Sequence, residues 1–87
     1  MSREEAIVKK AAFLLYSLVV QHPFINGNKR TAFEVVDSFL ELNGYNLGAG
    51  TDESYHFLAE IGAENVSQLQ TEKWIARNLA MKRRKSG

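Results

Sequence analysis

The stretch that decides the fold reads Ala11-Ala12-Phe13-Leu14-Leu15-Tyr16-Ser17-Leu18-Val19-Val20. It is apolar almost all round a helix, and only Tyr16 and Ser17 interrupt it. A helix of this kind normally lies at the centre of a fold and is covered on several sides. Apolar residues at helical spacing extend it back to residue 3. Pro23 should stop it at about His22, because the residue before a proline is disfavoured in a helix.

Two more helices are predicted on either side of a glycine-rich loop. The second helix should begin near Asn28 and end at Asn43-Gly44, a common helix stop because glycine accepts a left-handed conformation. Residues 48–50 form the loop. Thr51 is the expected N-cap of the third helix, which should end at about Gly62.

A last helix is predicted after Ser67, which matches a capping box with Gln70. Its inward-facing residues are expected to be Leu69, Ile75, Ala76 and Leu79. No segment shows sustained period-two alternation, so no strand is expected. The predicted fold is all-α, a small helical bundle of about four helices.

Composition narrows the class of protein. The 87 residues suit a single domain over 1–87, and 45% hydrophobic with 24% charged residues is typical of a soluble globular chain. Because there is no cysteine, disulfides, thiolate metal sites and cysteine nucleophiles are excluded. Two histidines alone cannot build a usual zinc site. No apolar stretch is long enough to span a bilayer and no signal peptide is evident, so we expect no membrane partner and a cytoplasmic location.

The charge is unevenly distributed. The formal net charge is +1, yet a basic tail over 82–87 holds four of the eleven bases: Lys82, Arg83, Arg84 and Lys85. Residues 1–81 therefore carry seven bases against ten acids. A mildly acidic body with no evident recognition helix disfavours nucleic acid as a partner.

The loop between the first two helices carries the chemistry: His22-Pro23-Phe24-Ile25-Asn26-Gly27-Asn28-Lys29-Arg30. Its Asn-Gly-Asn run favours turns and leads into a helix N-terminus, whose free N–H groups and positive dipole end suit an anion. Lys29 and Arg30 are cations where the dipole opposes them, which indicates that an anion such as phosphate is expected there.

These nine residues resemble the loop of the Fic family, His-Pro-Phe-x-acid-Gly-Asn-(Gly or Lys)-Arg, at every defined position except Asn26, which replaces the acid. Lys29 is similar to the Doc branch, the toxin half of many toxin–antitoxin pairs. The later run Phe39-Leu40-Glu41-Leu42-Asn43-Gly44-Tyr45 is also similar to Doc-type sequences.

The resemblance implies a role for each loop residue. His22 would be the general base that takes the proton of a target hydroxyl, and Phe24 would anchor the loop. The phosphate and nucleotide would be bound by Gly27, Asn28, Lys29 and Arg30. Asn26 stands where the magnesium ligand is expected, and an amide brings no charge to that position.

The resemblance also implies an activity. The Fic family at large transfers AMP from ATP to a protein Ser/Thr hydroxyl with Mg²⁺, whereas the Doc branch is associated with phosphoryl transfer to a translation elongation factor. Lys29 favours phosphoryl transfer, and an antitoxin is an expected partner. The alternative is a truncated, catalytically weak Fic-like domain that binds nucleotide or an antitoxin, which Asn26 favours.

The first helix indicates that something covers it. Phe13 and Val20 lie on the stripe of Lys9 and Tyr16, which would face solvent in an ordinary amphipathic helix. Only about twenty residues precede the loop, whereas Doc-like proteins have further helices and a flap upstream. The expected cover is a partner, a second copy or absent N-terminal residues. Elsewhere, His56 is expected at the surface and Trp74 in packing.

Overall fold

The computed structural model describes residues 1–21 and 28–81, of which residues 28 and 29 are described by their backbone only. Four helices make up most of this part, and one two-stranded sheet joins them. The elements in chain order are α1 (Arg3–Gln21), α2 (Asn28–Leu42), β1 (Tyr45–Leu47), α3 (Thr51–Gly62), α4 (Gln68–Asn78) and β2 (Leu79–Met81). The prediction of a small four-helix, all-α bundle is confirmed.

Helix α1 is the central helix, as its apolar pattern predicts. It packs against α2 on one side and α4 on the other, and also meets α3. Its buried residues are Ile7, Val8, Ala11, Ala12, Leu15 and Val19. The helix opens with a capping box that the sequence analysis missed. The Ser2 hydroxyl accepts from the Glu5 N–H at 3.1 Å, and the Glu5 carboxylate accepts from the Ser2 N–H at 3.3 Å.

Helix α2 is amphipathic and antiparallel to α1. It buries Ala32, Val36 and Leu40, which are four residues apart and therefore share one face. At its end, the Arg3 guanidinium donates to the Asn43 carbonyl at 3.2 Å, which places the start of α1 beside the end of α2. Gly44 follows with a positive φ of 91°, which confirms the predicted Asn-Gly stop.

The sheet corrects the prediction that the chain has no strand. Strands β1 and β2 pair antiparallel, with Tyr45 opposite Met81 and Leu47 opposite Leu79. Each strand has three residues, which is too short for period-two alternation to be visible in a sequence. Leu79, expected inside the last helix, instead caps α4 with extended backbone angles (φ −70°, ψ 131°) and begins β2.

Helix α3 ends at Gly62 as predicted, but its N-cap is Gly50 and not Thr51. Gly50 has extended backbone angles, and Thr51 is already helical. Since Gly50 has no side chain, no side-chain cap hydrogen bond is made. Instead of a cap hydrogen bond, two acids in the first turn, Asp52 and Glu53, interact favourably with the positive end of the helix dipole.

Helix α4 opens with the predicted Ser67–Gln70 capping box, whose two hydrogen bonds measure 3.1 and 2.8 Å. Its buried stripe consists of Thr71 and Ile75. Thr71 can be buried because its hydroxyl donates to the Ser67 carbonyl at 2.9 Å. Leu69 and Ala76 were expected to face inward and are exposed instead. They lie on the side of α4 away from Thr71 and Ile75, and that side faces solvent.

Within the described ranges, no helix is long and apolar enough to cross a membrane.

Candidate functional site

The structure describes one predicted site residue with its side chain, Arg30. Two others, Asn28 and Lys29, form the first turn of α2 through their backbone only. The remaining four lie outside the described residues: His22, Phe24, Asn26 and Gly27. The roles that the resemblance implies for these six residues therefore stay predictions.

The two helix ends that border the loop are both fixed to the core. Near the end of α1, Val19 keeps only 4% of its surface exposed, and near the start of α2, Ala32 keeps 1%. Both belong to the same cluster of buried residues. On the other side of α2, the Phe33 ring meets the Tyr55 ring of α3 at a centroid distance of 5.9 Å. The first turns of α2 are thus held by two other helices.

Arg30 lies in the first turn of α2 with its side chain exposed. Among the described residues, its guanidinium makes no hydrogen bond and no ion pair. Glu34 is four residues further on, at the spacing where Arg and Glu commonly pair, yet it is also exposed and makes no ion pair with a described residue.

The position of Arg30 is electrostatically unfavourable without an anion. The first N–H groups of a helix lack intrahelical acceptors and carry the positive end of the dipole. The first turn of α2 contains no acid to offset them. A phosphate would satisfy both the N–H groups and the guanidinium, since arginine binds phosphate in a forked, two-bond geometry.

The rest of the same strip of α2 is acidic. Glu34, Asp37 and Glu41 follow Arg30 at spacings of three and four residues, so they lie along one side of the helix. Partial burial raises the pKa of Asp37 above its ordinary value of 3.8, and the nearby negative charge of Glu41 raises it further. Positive charge is therefore confined to the end of α2 that meets the loop.

The residues beside Arg30 on this strip were not predicted as parts of a site. Glu34 is exposed one turn from Arg30 and makes no ion pair with it, and the i,i+4 spacing is the sequence signal that places the two side chains on one strip. Within the described part of the chain, no three His, Asp or Glu side chains are grouped closely enough to hold a metal ion. The predicted magnesium position, Asn26, lies outside that part.

Two readings of single residues are confirmed. Trp74 packs face to face on Phe57, with ring centroids 4.3 Å apart and planes 6° from parallel. His56 is exposed. The predicted helical end of the basic tail, Lys82 to Lys85, falls outside the described residues.

Comparison with known proteins agrees with the loop sequence. The Fic/DOC family model matches residues 2–40. Toxin Doc of Mycolicibacterium smegmatis is 49% identical over 43 residues, which are 49% of this chain and 33% of that protein. The match thus spans about a third of the relative's length. No solved structure matches the chain. The matched segment contains α1, the loop and most of α2, and over this segment the chain is similar to the Fic/DOC family.

Proposed function

We propose that this chain is a Doc-like, toxin-type transferase that moves a phosphoryl group from ATP to a Ser or Thr hydroxyl of a target protein. The observation that carries the proposal is the state of Arg30. It is exposed, it has no ion pair with a described residue, and it stands in the first turn of α2 directly after the His-Pro-Phe loop. The similarity of this segment to Toxin Doc supports the same reading.

In the proposed reaction, His22 takes the proton of the target hydroxyl, since the ordinary pKa of an imidazole, about 6.5, suits a general base at neutral pH. The hydroxyl oxygen bonds to the γ-phosphorus while the bond from that phosphorus to the β–γ bridging oxygen breaks, and ADP leaves. Gly27, Asn28 and Arg30 hold the phosphate oxygens and stabilise their charge. Lys29 adds a positive charge against the nucleotide and favours phosphoryl over AMP transfer.

Magnesium fits this site only with help from the substrate. Asn26 would offer a single neutral amide oxygen, whereas Mg²⁺ prefers charged oxygens and octahedral geometry. The phosphates of ATP would therefore supply most of its ligands. When bound, the ion would neutralise phosphate charge.

The partners follow from the same proposal. The target is a protein, with a translation elongation factor as the candidate that the Doc resemblance suggests, and an antitoxin restrains the activity. Since ATP and the translation machinery are cytoplasmic, we place the activity in the cytoplasm. The similarity to a protein named Toxin Doc supports an antitoxin partner.

The test is incubation of the chain with cell extract and ATP labelled at either the α or the γ phosphate. Label retained on protein only from the γ position is expected, and label from the α position would indicate AMP transfer. His22→Ala should abolish labelling. Arg30→Lys should lower it about tenfold or more, because a charge-assisted hydrogen bond contributes about 1.5–3 kcal/mol.

The matched control for Arg30→Lys is Arg77→Lys, which changes an exposed arginine on α4 and should leave labelling unchanged. Equal effects of the two substitutions, in variants with wild-type circular dichroism, would contradict the proposed role of Arg30.

A second candidate function is nucleotide or antitoxin binding without efficient transfer, which Asn26 favours because it weakens the metal position. No label from either nucleotide, together with ATP binding by calorimetry, would support this candidate. The substitution Asn26→Asp then separates the two readings. If metal affinity limits the reaction, this variant should gain labelling, and if the chain only binds, it should not.

A further inference from the structure

One surface of the bundle leaves large apolar side chains exposed on two neighbouring helices. We call it the open face and define it by Phe13 and Leu14 of α1 and by Val35 and Leu42 of α2. The exposed fractions are 54% for Phe13, 40% for Val35 and 88% for Leu42. Scattered single apolar residues are ordinary on a surface, but a contiguous set on adjacent helices marks an interaction site.

The open face contains an open groove of about 460 Å³ between α1 and α2. Its apolar lining residues are Leu14, Val35, Phe39 and Leu42, and its polar lining residues are Thr31, Glu34 and Ser38. Val35, Phe39 and Leu42 follow the i, i+4, i+7 spacing of a helix side that packs into another helical surface. Phe13, beside Leu14, protrudes next to the groove. A surface with both a groove and a protruding ring can be complementary to itself.

The charges on the open face are also complementary to one another. Lys10 lies one turn before Leu14 on α1, and Glu34 lies beside Val35 on α2. Both are exposed, and neither makes an ion pair with a described residue. The Arg3–Asn43 contact sets the level of the two antiparallel helices. Seven residues after Arg3 on α1, Lys10 therefore lies at the height of Val36, which is seven residues before Asn43 on the antiparallel α2. Val36 is two residues from Glu34.

We propose that a second copy of this chain covers the open face, with a two-fold axis parallel to α1 and α2. Rotation about this axis places α1 of each copy against α2 of the other and leaves the position of every residue along the helix direction unchanged. Lys10 of each copy then meets Glu34 of the other, and Phe13 of each copy reaches the groove beside Val35 of the other. A partner whose surface carries charge of one sign would attract either Lys10 or Glu34 and repel the other. A second copy offers a Glu34 to Lys10 and a Lys10 to Glu34. Each contact forms twice, as a two-fold interface requires.

Sedimentation equilibrium of the 87-residue chain tests the proposal. The expected mass at high concentration is twice the 9.8 kDa of one chain. Phe13→Glu should weaken association at least about tenfold, because it buries an unpaired charge in the interface. Leu69→Glu is the matched control: Leu69 is 58% exposed on α4, away from the open face, and its substitution should leave association unchanged.

Charge exchange identifies a second copy specifically. Lys10→Glu and Glu34→Lys should each weaken association about threefold or more, and the double variant should recover it, because the pair is re-formed with reversed signs. Circular dichroism checks that every variant is folded. A wild-type chain that stays monomeric at all concentrations would overturn the proposal. So would a dimer for which Phe13→Glu and Leu69→Glu act alike, or a double charge variant weaker than both singles.

Discussion

At Asp37, two unfavourable effects act on one carboxylate. Partial burial of the side chain raises its pKa above the ordinary 3.8, and the negative charge of Glu41, one turn further along α2, raises it again. Both effects favour the neutral form in the folded state. The ionised side chain therefore lowers the free energy of unfolding, and the protonated one does not.

The substitution Asp37→Asn should raise the stability of the fold at about pH 7 by a few tenths of a kcal/mol, the usual size of a like-charge pair at i,i+4. Because the folded-state pKa is raised, the contribution of the protonated carboxyl is fully present below 3.8 and is lost as pH rises through the raised value. The gain in melting temperature should therefore vanish at about pH 3.

Thermal melts of Asp37→Asn and of the wild type at the two pH values measure this, with Glu64→Gln, an exposed acid after α3, as the control. A gain that is equal at both pH values would show that the substitution acts through helix propensity and not through the charge.

For single residues near the loop, the sequence predicts which residue types lie together but not which side chains form ion pairs. The anion-binding character of the start of α2 follows from its cations and its position after a turn-forming run. The i,i+4 spacing of Arg30 and Glu34 would suggest an ion pair, and the structure has none. Pairing depends on side-chain rotamers and solvation, which spacing alone does not determine.

For whole elements, the sequence predicts most helix boundaries because particular residues mark them. Gly44 and Gly62 end α2 and α3, and Ser67 with Gln70 opens α4. The strands could not be predicted, since three residues are too few for a period to show and their pairing joins distant parts of the chain. The Ser2–Glu5 box that opens α1 has the same three-residue spacing as the Ser67–Gln70 box.

Gly44 is an element boundary that a substitution can test. Its φ of 91° is disfavoured for any residue with a Cβ, although an added Cβ would meet nothing within 4 Å. Gly44→Ala should therefore cost about 1 kcal/mol through backbone strain alone. Urea denaturation measures the loss.

The control is Gly50→Ser, which also adds a side chain in open space but at a negative φ of −67°. It should hold or slightly raise stability, because serine can supply the missing N-cap hydrogen bond of α3. Equal losses for Gly44→Ala and Gly50→Ser would mean that crowding, and not the left-handed conformation, determines the cost.

For the whole molecule, stability depends on one shared core. Leu15 is fully buried at the middle of α1, in the same cluster as residues of all three other helices. Leu15→Ala should cost about 2–5 kcal/mol, which is a large share of the roughly 4–13 kcal/mol expected for a chain of this length. Urea denaturation should therefore show a much lower midpoint.

Leu69→Ala removes the same atoms from a side chain that is 58% exposed, and it should shift the midpoint little. Comparable shifts for Leu15→Ala and Leu69→Ala would contradict a core centred on α1.

The spacing of apolar residues does not predict which helices pack against each other. The all-round apolar pattern of α1 predicts that it is covered on several sides, but not that α4 and α2 provide the cover. The same pattern does anticipate the exposed ring of Phe13, whereas Val20 is partly buried against the core. Which faces meet is decided by packing between segments far apart in sequence.

The packing of α1 against α4 has a consequence for biosynthesis. A ribosome delivers Arg3–Gln21 before Gln68–Asn78, so the central helix α1 is synthesised before one of its two main neighbours. During that interval the apolar surface of α1 is exposed and can aggregate. We therefore expect a chaperone to bind α1 before α4 is made. Slow elongation between the two segments should therefore lower the yield of native protein.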